Sequence, residues 1–353
     1  MKDNARFGIV GAGTIAEWHA AAIRQCPHAR LIACYDAVEA RAKTFANKHG
    51  IEAAPSLESL LARDDIDAVT IATPTGAHME PTIAAAQAAK HVLCEKPLEI
   101  NLERADRMIL ACETEGVALG CVFQGRTAKA VRLIQQALAQ GRFGRLTLAD
   151  AHVKWHRDQA YYDKAKWRGT WRMDGGGALM NQGVHTVDLL RLFAGPPKAA
   201  HAFMGTLTHR NIEAEDTLVA SIQFANGALG TIEASTSCAP GFPRRVELSG
   251  QRGSVALEDH RITRWSFMDQ TEEDEKIRLE GADDEALKGG SSAAEAISIE
   301  GHRRQIDDFA RAILEHRDPL VPGREGRHAL ELICGIYESA RTGQPFEFAI
   351  GGA

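Results

Sequence analysis

Along the first third of the chain, short apolar runs alternate with longer stretches whose apolar positions recur at helical spacing. The pattern predicts strands at 6–10, 30–35, 68–72, 91–94 and 117–122, and helices at 14–25, 38–48, 77–89 and 102–115. The strands are apolar on both faces, as in Phe7-Gly8-Ile9-Val10 and Ala68-Val69-Thr70-Ile71-Ala72. Such strands are covered by helices on both sides, so the alternation predicts parallel strands with crossover helices, a doubly wound α/β sheet.

From about residue 145 the texture changes. Runs at 146–153, 217–224, 228–234, 245–249 and 254–258 read as antiparallel strands. Asn226-Gly227 is a hairpin signal between two of them, and Gln251-Arg252-Gly253 separates another pair. The polar, acidic stretch 271–292 reads as a surface loop, and 302–315 and 326–341 read as amphipathic helices. The expected organisation is an α/β dinucleotide-binding domain over 1–122, then an α+β domain over 123–353 for substrate binding and oligomerisation.

A chain of 353 residues suits two domains. A net charge of −6 gives no electrostatic reason to expect a nucleic-acid partner. There is no signal-peptide pattern at the start and no apolar run long enough for a membrane span, so a cytoplasmic, membrane-free protein is expected. The seven cysteines are scattered with no C-x-x-C pair, and Cys34, Cys94 and Cys121 fall in strand-like runs. They read as small buried hydrophobes, and no metal site is expected.

The first strand runs into Gly11-Ala12-Gly13-Thr14-Ile15-Ala16, which opens a helix. Gly11 permits the tight turn, Gly13 lets the backbone approach a pyrophosphate, and Ala16 permits close helix–strand packing. The anion would sit on the helix N-terminus beside Thr14 and Ile15. Asp36 ends the second strand, roughly twenty residues on, where an acid binds the adenosine ribose hydroxyls. A carboxylate there favours NAD over NADP, although Arg41 lies nearby and NADP stays possible. The strand at 68–72 exits into Thr73-Pro74-Thr75 at a carboxyl strand end, where Thr73 and Pro74 would line the cofactor path. His78 either joins them or is an ordinary residue at a helix start.

The next strand exits into Glu95-Lys96-Pro97. A lysine there, beside a nicotinamide, can donate or accept a proton, because burial and neighbouring positive charge ease loss of a lysine proton. Glu95 would orient Lys96 or line the pocket, and Pro97 stiffens the turn. A second constellation follows Gly175-Gly176-Gly177, glycines that would bring the chain close against a ligand before a helix. Asn181 and His185 share a face of that helix, and Asp188 follows a turn later. Histidine beside these groups suits proton transfer or substrate hydrogen bonding. Upstream, Trp167-Arg168-Gly169-Thr170-Trp171-Arg172 offers stacking surfaces, and Arg168 or Arg172 could pair with a substrate carboxylate or phosphate. Arg126, Lys154 and His156 are further candidates for the same pocket.

Gly-x-Gly-x-x-Ala, Glu95-Lys96-Pro97, and the glycines with His185 and Asp188 together resemble the glucose–fructose oxidoreductase / inositol dehydrogenase / rhizopine-catabolism (Gfo/Idh/MocA) family. The resemblance extends to Gly144-Arg145-Leu146 and to Ala329-Leu330-Glu331 near the C-terminus, and so covers nearly the whole chain. It implies a Rossmann domain followed by an α+β domain with a large, mainly antiparallel open sheet. It also implies NAD or NADP, no metal, and a homodimer or homotetramer joined through that sheet. It assigns Lys96 as the catalytic acid/base, assisted by His185, in oxidising a secondary alcohol of a sugar-like substrate to a ketone, or the reverse. Inositol-dehydrogenase-like members carry aspartate four residues before the histidine, where this chain has Asn181. Asparagine can orient a substrate but cannot take a proton, and Asn181-Gln182-Gly183 resembles members acting on sugar nucleotides or other pyranose derivatives. Two alternatives remain: an enzyme of this fold that never releases its NAD, and a nicotinamide-binding sensor without catalysis.

Overall fold

The computed structural model describes residues 3–280 and 298–349. The chain divides into two compact units, one of residues 1–124 with 299–327 and one of residues 125–298 with 328–353.

The first unit begins β1 (Ala5–Val10), α1 (Thr14–Gln25), β2 (Ala29–Tyr35), α2 (Glu39–His49), β3 (Glu52–Ala53), α3 (Leu57–Leu61). It continues β4 (Ala68–Ile71), α4 (Met79–Gln87), β5 (His91–Cys94), α5 (Leu102–Thr114), β6 (Leu119–Cys121). All strands are parallel, in the order β3-β2-β1-β4-β5-β6. This is the Rossmann order, with the direction of winding reversing between β1 and β4. Every residue of β4 is buried, as helices on both faces require.

The second unit opens with α6 (Lys129–Ala139), β7 (Leu146–Lys154), α7 (Gln159–Asp163) and α8 (Val184–Ala194). Strands β8 (Pro197–Gly205), β9 (Thr217–Phe224), β10 (Leu229–Ser235), β11 (Arg245–Gly250), β12 (Gly253–Glu258) and β13 (Arg261–Phe267) follow. Helix α9 is Glu272–Glu280. Helix α10 (Ile299–Glu315) belongs to the first unit, and α11 (Gly323–Thr342) and β14 (Phe346–Glu347) follow it in the chain. The eight-stranded sheet runs β13-β12-β11-β7-β10-β9-β8-β14. It is antiparallel except for β7 beside β10. Its strands alternate: β9 buries every second residue. Helix α8 covers the apolar face, against β7 and β11. The opposite face exposes Leu148, Phe203, Val219 and Leu229, which the register places on one side. The hairpin at Asn226-Gly227 forms as expected, with Gly227 at φ +87° and Asn226 Oδ1 accepting from the Ala228 amide at 2.9 Å.

Two readings of the sequence change. Residues 299–327 pack with the first unit, because α10 lays Ile306, Phe309 and Ala310 into the core of Phe7, Ile9 and Ile23. Within the stretch 271–292, residues 272–280 are helical rather than loop, and 281–292 lie outside the described residues. The reason is Asp274, which is buried and accepts from Arg142 Nη1 and Nη2 at 2.7 Å each and from Trp265 Nε1 at 2.6 Å. An acidic segment whose central carboxylate is so neutralised folds onto the sheet edge instead of staying in solvent.

Candidate active site

The parallel register aligns Val10, Ile71 and Cys94, so the chain leaves β1, β4 and β5 side by side at one carboxyl edge. Gly11, Thr73-Pro74 and Glu95-Lys96 therefore share that edge, which is where open α/β sheets take their ligands. Gly11 sits at φ +92°, and a Cβ there would lie 2.8 Å from the Ala72 carbonyl oxygen. Only glycine fits. Gly13 is different: its φ of −86° is ordinary, and a Cβ there would meet nothing within 4 Å. It caps α1 with no side-chain hydrogen bond, so the first amides of the helix, including those of Thr14 and Ile15, lack a side-chain cap. Open space above uncapped amides suits a pyrophosphate.

Asp36 is buried at the end of β2 and ties this turn together. Its Oδ2 accepts from the Ala12 amide and its Oδ1 from the Val38 amide, both at 2.8 Å. The half-exposed Arg41 reaches it at 3.3 Å. The residues of this edge fit a dinucleotide: an anion seat at the head of α1, and an acid at the tip of β2 for the ribose hydroxyls.

His78 is buried, with Nε2 3.0 Å from the Thr73 carbonyl and Nδ1 3.1 Å from that of Pro97. Its ring braces the β4 exit against the turn after Lys96, and Thr73 Oγ1 closes the same loop on the Ala77 carbonyl at 2.9 Å.

Glu95 is buried and anchors the turn that carries the half-buried Lys96, whose amide donates to Glu95 Oε2 at 3.1 Å. Glu95 Oε1 lies 2.7 Å from His19 Nε2 of α1 and 3.7 Å from His302 Nε2 of α10. His19 Nδ1 is in turn 2.7 Å from Thr70 Oγ1. Burial alone would push the Glu95 carboxyl up, but hydrogen bonds to His19 and His302 outweigh it and hold it well below the ordinary range. The result is a negative charge fixed against the backbone amide of Lys96. His19 and His302 carried no local signal in the sequence, since each comes from a different helix. Their ring nitrogens and the Glu95 carboxylate lie within 4.8 Å of one another, a set that could also hold a metal ion, although direct hydrogen bonding already accounts for the arrangement.

In the second unit, the expectation that the glycine run approaches a ligand is corrected. A Cβ at Gly176 would stand 2.2 Å from the Tyr337 hydroxyl, and one at Gly177 would stand 1.8 Å from the Glu215 carbonyl oxygen. These glycines pass the protein's own buried groups. Glu215 accepts from the amides of Gly177 (3.0 Å) and Leu179 (2.8 Å) and from Tyr337 Oη (2.9 Å). Gly175 has φ +78°. The segment Ala178–Gly183 is a π-helical turn that runs into α8, a device found often at functional sites.

That turn presents Asn181, and α8 presents the half-buried His185. Asn181 Nδ2 donates to Asp174 Oδ1 at 2.6 Å, and its Oδ1 accepts from Gln182 Nε2 at 2.6 Å. Asp188 and Arg126 are both buried and joined in a fork, with Arg126 Nη2 on Oδ1 at 2.6 Å and Nε on Oδ2 at 2.9 Å. Arg126 therefore serves as the counter-charge of Asp188. Lys154 pairs with Glu233 at 2.5 Å, on the sheet. Trp167 and Arg168 are half-buried, and Arg172 and His156 are exposed.

Residues 5–123 match the oxidoreductase family described as having an NAD-binding Rossmann fold, and residues 131–256 match the GFO/IDH/MocA C-terminal domain. The 1,5-anhydro-D-fructose reductase of Ensifer adhaerens is 31% identical, over 98% of this chain and 99% of that protein. Among solved structures, the WlbA dehydrogenase of Bordetella pertussis, in complex with NADH and UDP-GlcNAcA, is similar at a TM-score of 0.92 with 35% identity, over 99% of both chains. The WlbA dehydrogenase from Chromobacterium violaceum, with the same two ligands, gives a TM-score of 0.88 and 32% identity, over 99% of this chain and 97% of that one.

Proposed function

Since the chain belongs to the GFO/IDH/MocA family of NAD-binding oxidoreductases, we propose that it interconverts a secondary alcohol and a ketone on a pyranose derivative. Lys96 is the acid/base of this reading, and His185 assists. The observation that carries it is the place of Lys96: it follows β5 at the same sheet edge as the Gly11–Gly13 turn, with its backbone amide on a buried carboxylate.

In the oxidising direction Lys96 takes the hydroxyl proton while the carbinol carbon gives up its hydride. A bound nicotinamide supplies the hydride acceptor, or the donor in reverse. Glu95 stays anionic and fixes the backbone from which Lys96 projects. His185 hydrogen-bonds the reacting oxygen, and Asn181, oriented by Asp174 and Gln182, offers the substrate a neutral polar group. The complexes of the two WlbA proteins with UDP-GlcNAcA support a sugar derivative over a cyclitol. Self-association through the exposed apolar face of the eight-stranded sheet belongs to the same reading, and sedimentation velocity of a Phe203→Glu variant checks it.

The test is turnover of a panel of pyranoses, sugar acids, sugar nucleotides and cyclitols with NAD or NADP, followed by the absorbance of reduced nicotinamide. Turnover by the wild type, lost at least a hundredfold in Lys96→Ala and reduced in His185→Ala with cofactor affinity intact, supports the assignment. Stoichiometric nicotinamide released on denaturation, with no net reduction by any compound, would instead favour the enzyme that retains its cofactor, or the sensor.

A further inference from the structure

Strand β7 ends into a loop that carries Trp155 and Arg157, and α7 begins two residues later. The backbone of Arg157 is pinned on both sides. Its amide donates to the Thr236 carbonyl at 2.8 Å, and its own carbonyl lies 2.7 Å from His209 Nε2. His209 is held in turn by Asp216 at 3.0 Å. The Arg157 guanidinium stands 5.1 Å from the Trp155 ring centroid and 5.6 Å from that of Tyr161. The Arg168 guanidinium stands 4.1 Å over the same Tyr161 ring. Two cations thus share one aromatic side chain.

Neither is in an ion pair among the described residues, and Asp158, next in the chain, acts on Arg157 only from beyond contact distance. No described carboxylate lies within ion-pair distance of Arg157 or Arg168, whereas the buried Arg126 and the half-buried Arg142 each hold one. The hydrogen bonds the two arginines do make are to neutral oxygens. Arg157 donates to the His156 carbonyl and to Gln182 Oε1, each at 3.0 Å, and Arg168 donates to the Tyr161 carbonyl at 2.7 Å. Arg168 Nε is buried with no partner at all. Both side chains are half-buried, so a ligand can reach them while solvent screening is reduced. Leaving two such cations unneutralised costs stability, and a fold tolerates that where an incoming anion supplies the missing charge.

We propose that Arg157 and Arg168 form an anion subsite, which takes the carboxylate or phosphoryl oxygens of the sugar substrate. This deepens the dehydrogenase reading and rests on it for the word substrate. The subsite is one link from Asn181, because Gln182 joins them: its Oε1 accepts from Arg157, and its Nε2 donates to Asn181 Oδ1 and to Tyr161 Oη. A pyranose held by its anionic group at the arginines lies against the turn that carries Asn181. The planar forks suit a carboxylate or a phosphate alike, so the shared chemistry is a compact oxyanion borne on the ring. The sequence pattern points to Arg168 and not to Arg157, since eleven residues separate the two in the chain.

The experiment is equilibrium binding, by calorimetry with saturating NADH, of glucuronate, glucose 6-phosphate, a UDP-linked uronic acid and neutral glucose. Wild type, Arg157→Gln, Arg168→Gln and Arg168→Lys are compared, with NADH affinity and melting temperature as controls of folding. The expected result is that the preference for anionic over neutral sugar falls at least tenfold in each glutamine variant and less in Arg168→Lys. The arm that shows the loss, glucuronate or glucose 6-phosphate, identifies the oxyanion. Folded variants with an unchanged preference overturn the subsite. Should a variant fail to fold, the salt dependence of the wild type decides: affinity for the anionic sugars must fall with ionic strength while glucose stays flat, and parallel behaviour overturns the proposal. No turnover is required, so the two readings fail separately. Binding lost in the variants without any nicotinamide reduction sinks the dehydrogenase and keeps the subsite, and turnover of neutral sugars alone does the reverse.

Discussion

His19 Nε2 lies 2.7 Å from Glu95 Oε1, and both side chains are buried at the base of the turn that carries Lys96. The pair has a consequence for acid stability. Burial raises the Glu95 carboxyl, yet its hydrogen bonds to His19 and His302 bring it well below 4.5. Burial lowers His302 below 6.5, against the pull of Glu95. In both cases the folded state binds fewer protons than the unfolded chain, so stability is present at neutral pH and is lost as pH falls, first below 6.5 and then below 4.5. The melting temperature of the wild type relative to His302→Leu should therefore drop between pH 7.5 and 5. An equal drop in the variant would remove His302 from the acid response. At neutral pH Glu95→Gln should cost about 2 kcal/mol, since both histidines lose a charged partner.

Gly11 and Gly13 separate packing from ligand approach. Gly11→Ala forces a Cβ to 2.8 Å from a backbone oxygen at positive φ, so the first unit itself should be destabilised, by about 1–3 kcal/mol. Gly13→Ala meets nothing within 4 Å and should leave the melting temperature of the cofactor-free protein unchanged, while NAD affinity falls at least tenfold. Melting curves with and without NAD check both; a Gly13→Ala protein that is stabilised by NAD like the wild type would place the pyrophosphate elsewhere.

How far this could be read beforehand depends on whether the partners were near in sequence. The Rossmann half was legible because periodicity, the glycine turn and Asp36 are local signals. The role of α10 was not, because its apolar stripe could have faced any core until Phe309 met Phe7, at 6.3 Å between ring centroids. The glycine run was recognised as a place of close approach, but its neighbours Glu215 and Tyr337 are distant in the chain, so a ligand was inferred where the protein's own atoms sit. The pairing of Arg126 with Asp188 was equally hidden, because 62 residues separate them in the chain.

Asp36 ties the tip of β2 to the glycine turn. Its carboxylate holds the Ala12 and Val38 amides while facing Arg41. Asp36→Ser should raise KM for NAD about tenfold or more and leave Arg41 free to meet a 2′-phosphate, so the NADP to NAD ratio of kcat/KM should rise. Adding Arg41→Ala should reverse that gain. A ratio that stays constant in both proteins would mean the ribose is read by another residue.

Glu215 makes the opposite pH prediction to Glu95. It is fully buried beneath the glycine run, and burial pushes its carboxyl up from 4.5 to about 7 despite hydrogen bonds from Leu179 and Tyr337. The folded state therefore binds more protons than the unfolded chain between those values. Its contribution is fully present below 4.5 and is lost as pH rises through about 7, a change of about 3 kcal/mol in all. Glu215→Gln removes the titration, so the stability of the wild type relative to this variant should decline from pH 5 to pH 8. Tyr337→Phe should cost about 1–3 kcal/mol throughout, because the Gly177 and Met180 amides, at 3.3 and 3.2 Å, and the carboxyl all lose a partner. Urea unfolding of the three proteins across that range separates the two effects. A Glu215→Gln curve parallel to the wild type would show that this carboxyl keeps one protonation state throughout.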